Sequence, residues 1–406
     1  MRMRTWCVAL VALSCSVTAA GQTVLSEADA LARLSTDSPR VRAIRAAVDL
    51  ARADVLAAAR WPNPRVTYNR EAVSGVTENM FFVTQPLPIT GRRAFEVDSA
   101  SALVEASARR ADDEIRRARA ALRAAYADLI STQLRESALA LSRDRLRELA
   151  QILGRREAEG ESAGYDRMRA EREVVDIEGE LSAARAERAR AQGTVAGFFA
   201  DQRDITSLVA VAPSVTRVPV PSVEELTMRA EMVRGEAAAL RQEIESARFA
   251  ERAAERRLVP EPEVVAGTKS SNFAGGDVGS VLSVHASIPL FDKARPERAM
   301  ARARMAQAEA RTAAFRASLT AQIAALRAAL IERREAADRY RMTATQDADR
   351  LERIAQVSYE AGERGILELL DAYRTGATAR TRQVALENAA RQAEIELEFV
   401  SGWEIP

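Results

Sequence analysis

Two long stretches of the chain have the pattern of apolar and charged positions that is typical of α-helices. Between Arg92 and Leu153, and again between Glu297 and Ala361, there is neither glycine nor proline, and Ala, Leu, Arg and Glu dominate. These residues are strong helix formers. Apolar residues recur three or four positions apart, as at Leu319, Ile323 and Leu326, which predicts helices that pack along their length. A helix of about 60 residues is about 90 Å long, far longer than a compact domain would hold.

Two pairs of predicted strands interrupt this helical pattern, at residues 63–85 and 263–288. The loop of the first pair contains Gly75, and the loop of the second is rich in Gly, Asn and Asp, which are turn residues. Strands of about 9 to 11 residues have the length that a membrane β-barrel needs. Because about eight strands are needed to close a barrel, four strands predict that several subunits share one.

The second half of the chain repeats the plan of the first half. Three segments have counterparts at offsets of 198, 203 and 202 residues, namely Trp61–Val66 with Val259–Val264, Thr84–Leu87 with Ser287–Leu290, and Ala158–Asp166 with Glu360–Glu368. The predicted organisation is a first repeat at 21–200 with a helical tip near 160–166, a proline-rich linker at 201–223, and a second repeat at 224–406 with a tip near 362–371. Each repeat comprises a helix, a strand pair and long helices.

Residues 1–20 have the features of a secretory signal peptide, with a basic start, an apolar stretch at Trp6–Leu13 and small residues at the end. Cleavage there would remove both cysteines, Cys7 and Cys15. Cys15 lies in only a weak approximation to a lipoprotein cleavage site. No later segment has about 18 consecutive apolar residues, so we expect no membrane helix. A mature chain located in a membrane would then span it as a barrel.

The charge balance and the missing catalytic motifs exclude several classes of function. The 59 basic residues nearly cancel the 58 acidic ones, so no strong field favours nucleic acid. The sequence has no glycine-rich phosphate loop and no nucleophile elbow. Its one histidine, His285, cannot build a metal cluster by itself. We therefore expect no enzymatic activity, no metal site and no cofactor.

Two motifs, together with the repeat, resemble the TolC family of outer-membrane efflux proteins over essentially the whole mature chain. The strand-to-helix segment Gln85–Arg93, QPLPITGRR, is most similar to the CzcC-type metal-efflux branch, and Ala361–Ala372, AGERGILELLDA, is similar to the family's second hairpin tip. The resemblance implies a mainly α fold with a β-barrel part. It implies a homotrimer in the outer membrane, with a twelve-stranded barrel continuous with a helical tunnel across the periplasm.

The resemblance also implies partners. Such ducts dock tip-first to a periplasmic adaptor, or membrane fusion protein, which links them to an inner-membrane transporter, here of the RND type. Each tip has a glycine where the long helices would reverse, and glycine leaves helical geometry at little cost. The residues expected to contact the adaptor are Gly160, Glu161, Ser162, Gly362, Glu363 and Gly365.

Glu368 and Asp371 are the predicted acidic aperture of the tunnel. They lie three residues apart and share a helix face, and the family carries carboxylates at these positions of the motif. Threefold symmetry would repeat them as a ring that attracts cations. In the first repeat Arg169 stands opposite Asp371, so only the second repeat should supply the ring. The alternative is a solvated helix face among many charges.

Asp166, Tyr359 and Arg364 are the predicted gate latch. The family holds its tunnel closed by a hydrogen bond and a salt bridge from an aspartate of the first tip to a tyrosine and an arginine of the second, and these three residues occupy the matching places. A few charge-assisted bonds of about 1.5–3 kcal/mol each could hold a bistable hairpin and still yield to a partner.

Several alternatives stay open at the level of the sequence. A non-channel periplasmic coiled-coil scaffold would explain the helices but not the strand pairs. An adaptor protein would have one long hairpin flanked by small β domains, which the duplication contradicts. For the exported substrate, the resemblance indicates heavy-metal cations, whereas drugs, other organic compounds or type I secretion cargo are alternatives.

Overall fold

The structure is a computed structural model that describes residues 23–36, 38–160, 164–199, 207–213, 217–291 and 293–404. The predicted signal peptide lies outside these residues, as do parts of the predicted linker.

Long helices and two strand pairs alternate in the same order in both halves. The first half comprises β1 (Thr23–Leu25), α1 (Glu27–Arg33), α2 (Pro39–Ala59), β2 (Arg65–Val73), β3 (Val76–Pro86), α3 (Arg92–Ala158), α4 (Gly164–Ala196) and β4 (Leu208–Ala210). The second comprises α5 (Val223–Val233), α6 (Gly235–Arg256), β5 (Pro262–Ser271), β6 (Asp277–Ala286), α7 (Arg295–Tyr340), α8 (Gln346–Glu360) and α9 (Ile366–Ser401). A π-helical segment, Arg341–Thr345, joins α7 to α8. The predicted mainly α fold with long hairpins and four sheet strands is confirmed.

Two of the shorter helices begin at serine caps. Ser38 accepts a hydrogen bond from the Val41 amide and is followed by a proline at the first helical position of α2. Ser222 and Glu225 form a reciprocal capping box at the start of α5. The long helices α3, α7 and α9 begin without a side-chain cap, and the packing of their small and apolar faces stabilises them.

The four long strands form one antiparallel sheet in the order β2-β3-β5-β6. Within the described chain, β2 and β6 each pair on one side only. Val66, Tyr68, Phe81 and Val83 lie on one face, where each is exposed. Phe82 lies on the opposite face, because successive strand residues alternate, so the two neighbouring phenylalanines cannot belong to one aromatic band.

The other face of the sheet has polar groups beside Phe82, Met80 and Val265, and it includes a close backbone approach. Lys269 and Glu78 form an ion pair of 2.6 Å, and Ser283 lies 3.3 Å from the Nε2 atom of His285. A Cβ atom at Gly267 would lie only 2.1 Å from the Phe81 carbonyl oxygen and 2.6 Å from the Phe82 ring. Glycine is therefore required at position 267 for β5 to lie against β3.

The strands pass into the helices through matching turns in the two halves. The Ile89 amide donates to the Leu87 carbonyl at 2.8 Å, and the Leu290 amide donates to the Ile288 carbonyl at 2.9 Å. These bonds close three-residue γ-turns centred on Pro88 and Pro289. These hydrogen bonds show that Pro88 is the counterpart of Pro289, whereas the sequence comparison had matched Pro86 with Pro289. The offset between the two repeats at this turn is therefore 201 residues, close to the offset of 202 at the tips.

Helix α3 is the spine of the bundle and packs against α2, α4, α6 and α9. It meets the start of α6 so closely that a Cβ atom at Gly235 would lie 2.0 Å from the Arg109 carbonyl oxygen. Asp113 of α3 accepts hydrogen bonds from the Gly235 amide and from the nearly buried Arg234 side chain. The Arg234 guanidinium also lies 4.9 Å from the Phe399 ring centre. This junction joins α3, α6 and α9.

A short parallel pair, β1 with β4, packs on the middle of the bundle. The buried Tyr126 hydroxyl donates to the Leu25 carbonyl at 2.7 Å and accepts from the Val211 amide at 2.9 Å. Charged side chains surround this region in a continuous chain of ion pairs from α7 through α9 and α1 to α3. Its members, in order, are Arg334, Glu394, Arg391, Glu27, Arg123 and Glu398. Burial raises the pKa of Glu398, and Arg123 opposes that rise.

A second buried ion cluster ties the two hairpins together nearer the tips. Glu352 of α8 is nearly buried and binds Arg380 of α9 at 2.7 Å and Arg145 of α3. The carboxylate occupies the space left by Gly376, where a Cβ atom would lie 1.5 Å from it. One carboxylate therefore joins three helices, and its place depends on a glycine in the middle of α9.

One stretch of the described chain is apolar enough, by length and composition alone, to cross a membrane as a helix. It lies within residues 295–360, where an 18-residue window has a mean hydropathy of 1.2. This segment was not predicted from the sequence, because the prediction was based on uninterrupted apolar residues, and here arginines interrupt the alanines and leucines. Leu319, Ile323 and Leu330 of this helix are buried in a core with α5 and α9, which makes it part of the bundle.

We expect Gly267→Ala to destabilise the folded sheet by about 1–3 kcal/mol, the usual cost of overpacking, because the new methyl group would collide with the β3 backbone. The measurement is thermal unfolding of the detergent-purified protein. Gly279→Ala on β6 is the matched control, since nothing lies within 4 Å of its Cβ position. Equal melting temperatures for the two variants would contradict the predicted collision.

We expect Gly376→Ala to cost about 1–3 kcal/mol, because its methyl group would displace the Glu352 carboxylate from Arg380 and Arg145. Gly179→Ala on α4 is the control. Nothing lies within 4 Å of that Cβ position, so the helix propensity of alanine should add up to about 1 kcal/mol of stability. Chemical denaturation should give changes of opposite sign, and a stabilised Gly376→Ala variant would show that the site is not tightly packed.

Candidate functional site at the hairpin tips

Each long hairpin reverses at a glycine with left-handed backbone geometry. Helix α3 ends at Ala158, Gly160 has φ = 79°, and α4 begins at Gly164. Helix α8 ends at Glu360, Gly362 has φ = 74°, and α9 begins at Ile366. A side chain would be strained at either glycine. Glu161 and Ser162, predicted to contact the adaptor, lie outside the described residues.

The second tip is a compact Schellman turn. The Gly362 amide donates to the Tyr359 carbonyl at 3.0 Å, and the Glu363 amide donates to the Ser358 carbonyl at 2.9 Å. Gly365 then takes an extended conformation, with φ = −82° and ψ = 169°, immediately before α9. The turn leaves Gly362, Glu363 and Gly365 on the surface, where a partner can reach them.

The predicted aperture residues share an exposed face at the start of α9. Glu368 and Asp371 are exposed, and the intervening Leu369 and Leu370 are buried. Neither carboxylate has a hydrogen bond or ion pair to another residue in the described part of the chain. The Asp371 carboxylate nevertheless helps to raise the pKa of the Arg374 guanidinium, three residues further along α9.

Glu368 also has a structural role that accounts for its position. It lies in the first turn of α9, where a negative charge is stabilised by the helix dipole. Asp166 occupies the corresponding first turn of α4. Asp371 lies one turn further along, where the Arg374 guanidinium attracts its charge, so both predicted aperture residues also have a local structural explanation.

Asp166 and Tyr359, two of the three predicted latch residues, interact only electrostatically within the described protomer. Burial raises the pKa of Tyr359, the Asp166 carboxylate adds to this rise, and the Arg156 guanidinium opposes it. The phenol therefore keeps its proton at neutral pH and can donate to a carboxylate. Within the described protomer, however, no hydrogen bond joins Asp166 to Tyr359, and the exposed Arg364 makes no ion pair.

Three features of the tip region were not predicted from the sequence. Arg156 lies 5.9 Å from the Tyr359 ring centre. A cleft of about 730 Å³ between α3 and α8 runs from the Glu352 ion cluster to Tyr359. The glycine inside the otherwise strong helical pattern of α9, Gly376, is the one sequence signal that could have indicated the Glu352 cluster, because glycine in a helix interior usually has a packing reason.

The described residues contain no cluster of three or more His, Cys, Asp or Glu side chains suited to a metal ion. His285 lies on β6 and contacts only Ser283 among the hydrogen-bonding groups described.

The second half of the sequence matches a known family. Residues 230–402 match the family of outer membrane efflux proteins. No curated protein sequence is a significant match. The family name agrees with the expected outer-membrane location, with extension into the periplasm, and with a transport function in place of an enzymatic one.

Solved structures share the fold over nearly the whole chain. A membrane protein from Pseudomonas aeruginosa superposes with a TM-score of 0.78 at 16% identity, covering 93% of each chain. The outer membrane protein VceC from Vibrio cholerae gives 0.73 at 16% identity and covers 93% of this chain and 96% of its own. The CmeC outer membrane channel of Campylobacter jejuni gives 0.77 at 11% identity, with coverages of 93% and 85%.

These identities establish the fold alone, whereas the family match adds a sequence signature in the half that contains the second tip. The match to the outer membrane efflux proteins covers residues 230–402, somewhat less than half of the chain, and the shared fold extends over nearly all of it.

Proposed function

We propose that the chain is one of three identical subunits of a passive outer-membrane exit duct in a tripartite efflux system. A periplasmic adaptor and an inner-membrane transporter of the RND type would deliver the substrate. The observation that carries this proposal is the sheet of four strands with unpaired edges at β2 and β6. Three copies joined edge to edge give twelve strands, enough to close a barrel.

The two faces of the sheet support its insertion in a membrane. Val66, Tyr68 and Val83 on one face are joined by Leu282 and Val284 of β6, all exposed. The opposite face contains the ion pair and hydroxyl groups described above. An apolar outer face with a polar lumen is the pattern of outer-membrane barrels, and the exposed apolar face is unfavourable in water. This disfavours the soluble scaffold and the adaptor as alternatives.

The helices support the tunnel part of the proposal. Helix α3 has 67 residues and is therefore about 100 Å long. Its hairpin with α4 and the hairpin of α8 with α9 carry both tips to the end of the bundle away from the sheet. The exposed backbone turns at Gly160 and Gly362 would dock the adaptor there.

The fold does not indicate which substrate passes through the duct, so the substrate is proposed from particular segments of the sequence. The segment Gln85–Arg93 resembles the CzcC-type branch, which favours heavy-metal cations, and the paired carboxylates of the second tip would suit a cationic substrate. Drugs or other organic compounds are the second candidate, which the amphipathic cleft between α3 and α8 supports. A gene deletion challenged with metals and with drugs distinguishes the two.

The duct itself is tested by measuring the mass of the detergent-purified mature protein and its conductance in planar bilayers. We expect a trimer and discrete single-channel steps. A monomer that stays out of outer-membrane fractions and gives no conductance would overturn the proposal.

The acidic aperture predicts that Glu368→Ala combined with Asp371→Ala weakens channel block by multivalent cations, because the ring would lose all six carboxylates. Half-block concentrations should rise by about tenfold or more, given the steep effect of several charges in a narrow pore. Glu363→Ala combined with Glu360→Ala removes the same charge from the neighbouring turn and should change block far less. Undiminished block in the aperture variant would remove Glu368 and Asp371 from the pore.

The latch predicts that Asp166→Ala and Tyr359→Phe each raise single-channel conductance, because each would remove one bond that holds the tip closed. Arg364→Ala should act in the same direction if its ion pair forms across a subunit boundary. Tyr165→Phe is the matched control, since that exposed tyrosine lies beside Asp166 but is not part of the latch. Conductance unchanged in both latch variants would contradict the predicted gate.

A further inference from the structure

The strand-to-helix junction presents apolar side chains that neither the barrel nor the helical bundle covers. The two proline-centred γ-turns leave Ile89 and Leu290 exposed by 68% and 67%, and Phe291 is 97% exposed. Trp61, which precedes β2, is also more than half exposed. Both halves of the chain have this turn, and in both the apolar residue after the proline is exposed, so the exposure is a repeated feature of the fold.

These side chains lie at one level because the strand ends are in register. Pro86 is paired with Glu263 and Pro262 with Ala286, and the Leu87 amide donates to the Pro262 carbonyl at 2.9 Å. Trp61 is held at the same level, since the Gln85 side chain donates to the carbonyl of the adjoining Pro62 at 3.0 Å. The exposed apolar residues thus lie together at the end of the sheet where the helices begin.

The junction also has more basic than acidic side chains. Residues 60–65, 92–98, 255–263 and 291–298 contain nine Lys and Arg residues against seven Asp and Glu residues. Four of these carboxylates are paired with an arginine: Glu96 and Glu261 with Arg92, Glu263 with Arg65, and Glu297 with Arg257. Lys293 and Arg295 are exposed with no ion pair to the described residues, and Arg93 stacks 5.1 Å from the Trp61 ring centre. We name this set the junction collar; it consists of Trp61, Ile89, Leu290, Phe291, Arg93, Lys293 and Arg295.

We propose that the junction collar seats in the periplasm-facing leaflet of the outer membrane and selects anionic phospholipid headgroups. Aromatic and aliphatic side chains beside basic ones are suited to the boundary between acyl chains and headgroups. Unpaired lysine and arginine side chains attract the negative charge of such headgroups. The inference rests on the proposed membrane orientation, in which the helices face the periplasm.

The test uses the full-length mature chain reconstituted in phosphatidylcholine vesicles that contain a fraction of brominated lipid. The reporter is Phe291→Trp in a Trp61→Phe background, because position 291 is exposed and loses no packing on substitution. The Trp61→Phe protein alone supplies the blank. We expect brominated phosphatidylglycerol to quench the reporter about twofold or more above brominated phosphatidylcholine at equal mole fraction.

A charge-reversal variant separates the headgroup preference from insertion. Lys293→Glu combined with Arg295→Glu should reduce the ratio of the two quenching efficiencies to about one. The double variant should still fold, because a glutamate in the first turn of α7 is favoured by the helix dipole. Arg350→Glu with Arg353→Glu on α8 makes the same change in charge far from the junction and should leave the ratio unchanged.

The outcomes distinguish the two levels of the argument. Quenching by both brominated lipids with a ratio of one in the unreversed protein overturns the headgroup selection but leaves the membrane placement intact. No quenching by either lipid overturns the placement of the collar and, with it, the proposed orientation of the duct.

Discussion

The free edges of the four-stranded sheet are the constraint on which the rest of the architecture depends. Unpaired backbone groups cannot be left in a hydrocarbon layer, so in the proposed duct the sheet would pair with other copies of itself at β2 and β6. One subunit alone would then be incomplete. Each strand pair passes directly into long helices, so joining the sheets would also arrange the helices around the same axis. One requirement at the membrane would thus organise a tunnel about 100 Å long.

Charged side chains hold together helices whose contact surfaces are largely alanine. Small residues allow close approach but bury little area, as at Gly235 and Gly376. Buried ion pairs add points of alignment: Asp113 with Arg234 and the chain of six residues from Arg334 to Glu398 in the middle of the bundle, and Glu352 toward the tips. Removing one member of such a pair leaves an uncompensated charge. Toward the tips a core of buried leucines, among them Leu153, Leu181 and Leu370, also fixes how the helices lie against one another.

The sequence predicted the helices, the strand pairs and the tip glycines because each rests on local rules of propensity and turn geometry. It did not predict which face each strand residue occupies at Phe81 and Phe82, nor the true correspondence of Pro88 with Pro289, since both depend on pairing between distant strands. The Glu352 cluster was missed for a similar reason: its members lie on three helices, and charged residues are common on all of them. For the candidate site, the sequence predicted Asp166, Tyr359 and Arg364 as a latch. The Asp166 carboxylate adds to the raised pKa of Tyr359, and no hydrogen bond or ion pair joins the three side chains within the described protomer, so the latch stays a prediction.

The π-helical segment at Arg341–Thr345 interrupts a rod that runs from Arg295 to Glu360 and is almost as long as α3. Buried positions follow a seven-residue interval from Ile323 through Leu330 to Ala337, and the next buried position, Ala348, follows eleven residues later. The same interval of eleven separates Ala308 from Leu319 within α7. An interval of eleven in place of seven locally unwinds a left-handed supercoil. A supercoil along this rod is therefore relaxed at two places, one in the middle of α7 and one where α7 passes into α8.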